Sequence, residues 1–176
     1  WTTCVPDGIS GSTLLANVKA GAVQLSEIDY VSMLGGHMNG SMGEIGALAL
    51  ILGGIYLLWR RVITWHIPVA VLGTMLLFGI CVALPEGGAA IWQTPLFHLL
   101  AGGALLGAIF MATDYSTSPM THKGMIIYGI GVGALTMIIR LWGAYPEGMS
   151  FAILIMNAVV PLINKYIKPR RFGAKK

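Results

Sequence analysis

A short polar run near the start of the chain contains the residues best suited to covalent chemistry. Asp7-Gly8-Ile9-Ser10-Gly11-Ser12-Thr13 places a threonine hydroxyl among small residues, ahead of the first long apolar segment. Because these residues add little bulk and glycine permits unusual backbone angles, a modifying enzyme can draw the segment into its own active site. Thr13 would supply the nucleophilic hydroxyl, and Asp7 would orient the segment or a metal ion in that enzyme. On spacing alone, an ordinary surface turn is the favoured interpretation.

The composition indicates an integral membrane protein. Hydrophobic residues make up 56% of the chain and charged residues 10%, whereas soluble domains carry about 25% charged residues. The net charge is +4, but most basic residues lie in small clusters beside apolar segments, which is typical of the cytoplasmic face of a membrane protein. Basic residues are not interleaved with aromatic residues along a groove, so we expect no nucleic-acid partner.

Five apolar segments predict an all-α fold with about five transmembrane helices. Each is roughly 16–19 residues long, close to the ~20 residues needed to cross a bilayer. The segments cover about residues 44–59, 67–84, 96–113, 125–143 and 150–167. Residues 1–43 form a segment before this domain, and 168–176 form a basic tail.

Local signals predict where three of these helices begin. Thr94-Pro95 and Ser118-Pro119 each have the pattern of an N-cap residue followed by proline in the first helical turn. Ser150 is predicted to cap the last helix.

The distribution of basic residues predicts the orientation in the membrane. Arg60 and Arg61 follow the first segment, Lys123 follows the third, and the basic tail follows the fifth, so all three lie on one side if the segments alternate. We therefore expect a cytoplasmic C-terminus and an extracytoplasmic segment 1–43 that carries Thr13. Because the chain opens abruptly in polar sequence at Trp1, we interpret it as part of a longer protein.

Four groups of residues resemble those of the RnfD/NqrB family of ion-translocating electron-transfer complexes. Asp7-x-x-Ser10-Gly11-x-Thr13 resembles the flavin-attachment motif of the family, with Ser12 where alanine usually stands. The other three groups follow in the same order along the chain. They are Gly40-Ser41-Met42-Gly43-Glu44, Phe110-Met111-Ala112-Thr113-Asp114 with Thr117-Ser118-Pro119, and Asn157 with Pro161-Leu162-Ile163. The basic tail is more similar to the RnfD branch, and the resemblance covers the C-terminal half of the family.

The resemblance implies a redox function with no catalytic residue in this chain. FMN, transferred from FAD by a flavin transferase, would be attached to Thr13 through a phosphoester, and riboflavin is a possible second flavin. The chain would work with other membrane and peripheral Rnf subunits in the lipid bilayer. Such a complex couples electron transfer between ferredoxin and NAD to Na⁺ or H⁺ translocation. The alternative within the same family is that the chain is an NqrB-type subunit of a Na⁺-translocating quinone reductase.

Several polar residues in or near the apolar segments have two interpretations each. Arg140 either snorkels to the outer interface, pairing with Glu147 or Glu86, or contacts the phosphate or an anionic form of the flavin. Asp114 either contacts an ion or a neighbouring subunit, or marks the end of a helix. Glu44 forms a capping box with Ser41 or acts as a functional carboxylate.

Further polar and small residues favour structural roles. His98 and Asn157 are expected to form interhelical hydrogen bonds. The spacing of histidines and cysteines predicts no metal site. The GxxxG pairs Gly103/Gly107 and Gly129/Gly133 would pack within this subunit or against other helices.

Two functions without redox chemistry remain open on the residues alone. Glycine-broken helices and an intramembrane arginine are also found in secondary transporters. GxxxG faces would equally serve a structural subunit that holds its partners together.

Overall fold

The protein is all-helical over the residues that the structure describes, which confirms the predicted fold class. The computed structural model describes residues 13–21, 28, 30–36, 43, 46–85, 87–88 and 90–168. The roles predicted for Asp7, Ser10, Gly11, Ser12, Ser41 and Glu44 fall outside these ranges.

Eight α-helices are found in this part of the chain. They are α1 (Leu14–Lys19), α2 (Tyr30–Gly35), α3 (Ala47–Trp59), α4 (His66–Ala83), α5 (Ala90–Leu100), α6 (Ala104–Leu106), α7 (His122–Trp142) and α8 (Met149–Tyr166). The helix α6 continues into one π-helical turn, Gly107–Met111.

Three of the described helices, α4, α7 and α8, are long and apolar enough to cross a membrane on their own. A fourth span results if α5 and α6 with its π-helical turn count as one bent helix. The helix α3 is apolar but has 13 residues, which correspond to ~20 Å against a hydrocarbon core of ~30 Å. The chain is therefore a multi-pass membrane protein whose first predicted span is the shortest.

The third predicted span is not the continuous helix that we expected over 96–113. Its two halves meet at an angle of 65°. Gly102 and Gly103 lie at the break, with φ of 63° and 64°, in the left-handed region that glycine adopts without steric cost. Two adjacent residues in this conformation end the helical hydrogen-bond ladder.

All three predicted helix starts were wrong by a few residues. The helix α5 begins at Ala90 and contains Pro95 in its interior, where the proline packs against Gly79 of α4. Thr121, rather than Ser118, caps α7, and its hydroxyl accepts a hydrogen bond from Gly124 N. The helix α8 begins after Gly148, so Ser150 lies inside it. Of these three helices, as far as their residues are described, only α7 has a side-chain N-cap in place of the predicted one, three residues further along the chain at Thr121.

The broken helix lies between two hydrophobic cores. Buried residues of α4, α7 and α8 form the larger core, to which α6 and its π-helical turn contribute Ala104 and Ala108. Buried residues of α1, α2 and α5 form the smaller core, to which Leu105 and Ile109 contribute from a neighbouring face of the same helix. The small helices near the N-terminus are thereby joined to the membrane-spanning helices.

The GxxxG pair of α7 packs within this chain, against α4. A Cβ atom built on Gly133 would lie 2.8 Å from the carbonyl oxygen of Val71 and 2.9 Å from Cβ of Thr74. One built on Gly129 would lie 3.1 Å from the carbonyl oxygen of Ile67. The backbones approach so closely that these positions have no room for a side chain.

We predict that Gly133→Ala destabilises the protein by about 1–3 kcal/mol, because the new methyl group meets backbone that cannot move aside. Gly73→Ala is the matched control, since a Cβ atom there has nothing within 4 Å and alanine favours a helix over glycine by ~1 kcal/mol. Thermal unfolding of the purified variants in detergent would measure both. Equal melting temperatures for the two variants would contradict the close α4–α7 contact.

Candidate functional site

Thr13, the predicted modification site, lies directly before α1 and is the N-cap residue of that helix. Its hydroxyl oxygen accepts a hydrogen bond from Ala16 N at 3.4 Å, which is longer than most hydrogen bonds of this kind. The side chain is partly exposed. The hydroxyl is therefore held in position but only weakly engaged.

The helix that follows Thr13 is anchored to the C-terminal end of α7. The amine of Lys19 donates hydrogen bonds to the carbonyl oxygens of Gly143, at 2.5 Å, and Tyr145, at 3.1 Å. On the other face, Leu15 is 4% exposed and belongs to the smaller core. A polar and an apolar contact together fix α1 against this end of the helical bundle.

Arg140, in the last turn of α7, is 4% exposed and bonds to the backbone of the broken helix. Its guanidinium donates to the carbonyl oxygens of His98, Ala101 at 3.0 Å and Gly102 at 2.7 Å. The last carbonyls of a helix have no partner within the helix, and they form the negative end of its dipole. Arg140 thus caps the C-terminus of α5 with a positive charge.

This placement corrects the expectation that Arg140 snorkels to the membrane surface. The guanidinium is enclosed by protein because Gly102 has no side chain: a Cβ atom there would lie 3.0 Å from Arg140 Nη2. The same Cβ atom would lie 3.5 Å from Cγ of Glu147 and 3.6 Å from Cδ1 of Leu15. The arginine, the helix break and α1 therefore meet at one point.

A cavity of about 310 Å³ lies beside this point, between α1, α4, α5 and α7. Its lining combines apolar side chains with a few polar ones and, among the described residues, contains no carboxylate. The lining residues are Leu15, Val18, Lys19, Val82, Ala83, Thr94, Phe97, His98, Arg140 and Leu141.

Polar atoms of two α5 residues on the wall of this cavity are buried without a hydrogen-bond partner in the part of the chain that the structure describes. They are the hydroxyl oxygen of Thr94 and Nδ1 of His98. Thr94 is 7% exposed, so open solvent does not satisfy its hydroxyl. Leaving such a group unpaired costs about 1–3 kcal/mol, which makes the pair unusual in a folded protein.

The predicted hydrogen-bonding roles of His98 and Asn157 have different outcomes. Asn157 does link two helices, because its Oδ1 atom accepts a hydrogen bond from the hydroxyl of Tyr128 at 2.7 Å. His98 joins helices through its main-chain carbonyl, which accepts from Arg140, while its ring contacts Phe97 edge to face.

Asp114 lies in the loop before α7, where it closes a turn. Its carboxylate accepts hydrogen bonds from the hydroxyls of Ser116, at 2.6 Å, and Thr117, at 3.2 Å. These bonds, that of Ser116 foremost, lower the pKa of the exposed Asp114 carboxyl below its usual value. The geometry supports the interpretation of Asp114 as a residue that marks the end of a helix.

Basic residues concentrate at the end of the bundle opposite to α1. The rings of His66 and His122 stack at 4.4 Å, so α4 and α7 begin side by side. Asn164 of α8 accepts a hydrogen bond from Met120 N, which brings the end of α8 to the same place. The basic residues at these helix ends are Arg60, Arg61, Lys123, Lys165 and Lys168.

We predict that Arg140→Gln destabilises the protein by several kcal/mol, because it leaves buried carbonyls unpaired at ~1–3 kcal/mol each. Arg140→Lys should retain part of the stability, since an ammonium keeps the charge but lacks the planar fork of donors. Arg60→Gln removes the same charge from an exposed side chain and should change stability by less than ~0.5 kcal/mol. Thermal unfolding in detergent and the yield of monodisperse protein would rank the stability of the three variants. Equal stability of Arg140→Gln and Arg60→Gln would refute the capping role.

Three relatives illustrate the similarity of the chain to known proteins. It is 46% identical over 172 residues to the subunit designated D of the Na⁺-translocating ferredoxin:NAD⁺ oxidoreductase complex of Acetobacterium woodii, covering 97% of this chain and 51% of the relative. It is 45% identical over 179 residues to the corresponding subunit of the proton-translocating ferredoxin:NAD⁺ oxidoreductase complex of Clostridium ljungdahlii, covering 99% and 52%. It is 39% identical over 173 residues to the corresponding subunit of the ion-translocating oxidoreductase complex of Pseudomonas paraeruginosa, covering 97% and 50%.

The chain spans about half the length of these curated relatives. Its residues 1–173 match the NQR2, RnfD, RnfE family. The match covers nearly the whole sequence, and with the identities above it shows that the chain belongs to the NQR2, RnfD, RnfE family.

Proposed function

We propose that this chain is part of a flavin-carrying membrane subunit of an Rnf-type complex, with FMN attached to Thr13. Such a complex would couple electron transfer between ferredoxin and NAD to the movement of Na⁺ or H⁺. The names of the two relatives at 46% and 45% identity support this assignment. An NqrB-type role in a Na⁺-translocating quinone reductase is the second candidate, because the matched family includes NQR2.

The placement of Thr13 is the observation that most directly supports flavin attachment. The hydroxyl is partly exposed, its hydrogen bond to Ala16 N is long, and the helix that follows is anchored by Lys19. A transferase can therefore reach the acceptor oxygen. Attachment from FAD forms an oxygen–phosphorus bond at Thr13, breaks the bridge between the two FAD phosphates, releases AMP and transfers the hydroxyl proton to a base.

The flavin would supply electron-transfer chemistry, whereas the chain supplies position and electrostatics. Because α1 is held by the hydrogen bonds of Lys19 and by the burial of Leu15, a group on Thr13 would stay close to the end of α7. A tethered cofactor keeps a restricted distance from its partners. In this proposal the chain works with other subunits of the complex, a flavin transferase attaches the FMN, and riboflavin is a second flavin.

The charge distribution supports an orientation in which Thr13 is extracytoplasmic and the C-terminus is cytoplasmic. The described helix ends opposite to α1 carry the basic cluster of Arg60, Arg61, Lys123, Lys165 and Lys168. Basic residues beside transmembrane helices favour the cytoplasmic side. The end of the bundle that contains α1 would then face outward.

We predict that the full-length protein, produced in cells with an active flavin transferase, gives a fluorescent band after denaturing electrophoresis, and that Thr13→Ala abolishes it. The intact mass should exceed that of the Thr13→Ala variant by one FMN, after allowance for the substitution. Ser12→Ala and Thr117→Ala are controls that remove hydroxyls and should keep the band. Loss of the band in Ser12→Ala but not in Thr13→Ala would move the attachment to Ser12, and a wild-type protein without flavin would refute the redox assignment.

We predict that a cysteine at Ala20 is labelled from outside the cell, whereas a cysteine at Lys168 is not. Both positions are exposed, and Cys4 and Cys81 would first be replaced by serine. A membrane-impermeant maleimide should label Ala20→Cys in intact cells and Lys168→Cys only after permeabilisation. The reverse pattern would overturn the orientation without affecting flavin attachment.

A further inference from the structure

The cavity beside α1 has features of a binding site rather than of a packing defect. Empty cavities in proteins are usually apolar, whereas polar cavities hold partners for their polar groups. Here Thr94 Oγ1 and His98 Nδ1 are both buried without a partner among the residues described, and both residues line the same cavity. They stand four positions apart on α5, so they lie on one face of that helix.

Thr94 differs from the other described threonines in or directly after helices. Thr74, Thr113 and Thr136 each donate a hydrogen bond to the carbonyl oxygen four residues earlier, at 2.6–2.8 Å. This bond satisfies a threonine in an apolar helix without any external partner. The hydroxyl of Thr94 lacks such a bond, which indicates that an occupant of the cavity satisfies it.

The charges around the cavity favour an electron-rich occupant. Lys19 and Arg140 line it, and no aspartate or glutamate of the described chain does. Hydrogen bonds to main-chain carbonyls hold both positive groups in place at the cavity wall. Apolar side chains such as Val82, Phe97 and Leu141 complete the wall. A planar heteroaromatic ring that accepts electrons matches this lining, because its faces would contact the apolar side chains and its polar edge would form hydrogen bonds.

The position and size of the cavity connect it to Thr13. The residues of α1 that line it, Leu15, Val18 and Lys19, directly follow the proposed attachment site. The first of them is two residues after Thr13, ~3 Å along the helix axis. A volume of about 310 Å³ is near the lower end of the ~300–1,000 Å³ of small-molecule sites, which suits a ring system better than a whole nucleotide.

We propose that this cavity receives the isoalloxazine ring of the flavin on Thr13, and that Thr94 and His98 bind the edge of that ring. This inference rests on the flavin attachment proposed above. The phosphate and ribityl chain would remain outside, beside α1. Thr94 Oγ1 and His98 Nδ1 would gain the hydrogen-bond partners that they lack within the described chain, and Lys19 and Arg140 would favour the reduced, electron-rich form of the ring.

The test compares Thr94→Val with Thr94→Ser in the full-length protein within its assembled complex. Valine keeps the shape of threonine but removes the hydroxyl, whereas serine keeps the hydroxyl. Thr113→Val is the matched control, because the hydroxyl of Thr113 already bonds to Ile109 O. Three measurements are made on each variant: flavin fluorescence after denaturing electrophoresis, the midpoint potential of the flavin by spectroelectrochemical titration, and quenching of native flavin fluorescence by iodide.

We expect Thr94→Val to retain covalent flavin at the wild-type level. The redox equilibrium constant of that flavin should change by about threefold to tenfold, because one buried hydrogen bond to the ring is lost. Thr94→Ser and Thr113→Val should keep the wild-type potential. A second variant, Ala83→Phe, fills the cavity, so it should make the attached flavin more accessible to iodide.

Two results separate this inference from the proposed function. The first result is a fluorescent band that persists in Thr94→Val and Ala83→Phe, with no change in midpoint potential or iodide quenching. The flavin ring then lies elsewhere and water alone occupies the cavity. This inference would be wrong, whereas flavin attachment would stand. If the wild-type protein carries no covalent flavin, the proposed function itself fails.

Discussion

The contact between Arg140 and the end of α5 is the interaction on which the rest of the structure depends. A backbone carbonyl without a partner is expensive in a membrane, so irregular backbone persists there only where protein or water satisfies it. The break at Gly102 and Gly103 releases such carbonyls, and the guanidinium of Arg140 binds those of His98, Ala101 and Gly102. A buried charge and a broken helix, each unfavourable alone, stabilise one another.

This contact also determines how the other elements are arranged. With α5 ended at Leu100, α6 starts at a new angle and, with its π-helical turn, packs on both cores through two neighbouring faces. The residues of α5 before the break, Thr94 to His98, stay near the C-terminal turns of α4 and α7, where the cavity forms. The helix α1 packs over the same point, since Leu15 lies close to Gly102. A bent helix thereby brings a cavity and the segment after Thr13 together.

The sequence predicted the class of fold well and its irregularities poorly. Hydropathy identified α4, α7 and α8, because few structures besides a membrane-spanning helix need continuous apolarity over that length. It could not reveal the break in the third segment, since Gly102-Gly103 is as compatible with close helix packing as with a left-handed turn. The role of Arg140 depended on that break and was missed with it. Lys19 and Thr94 were missed because they gain significance only from contacts between distant parts of the chain.

The geometry at Arg140 explains how one residue can serve both the fold and the proposed redox site. Hydrogen bonds to neutral carbonyls fix the guanidinium of Arg140 in place, and the negative end of the α5 dipole stabilises its charge. This positive group lies at the wall of the adjacent cavity, where the low dielectric of the interior strengthens electrostatic effects. A lysine would supply a similar charge, but not a planar set of five donors that can reach carbonyls from His98 to Gly102. The structural requirement to cap a broken helix therefore also accounts for a positive group fixed beside the helix that follows Thr13.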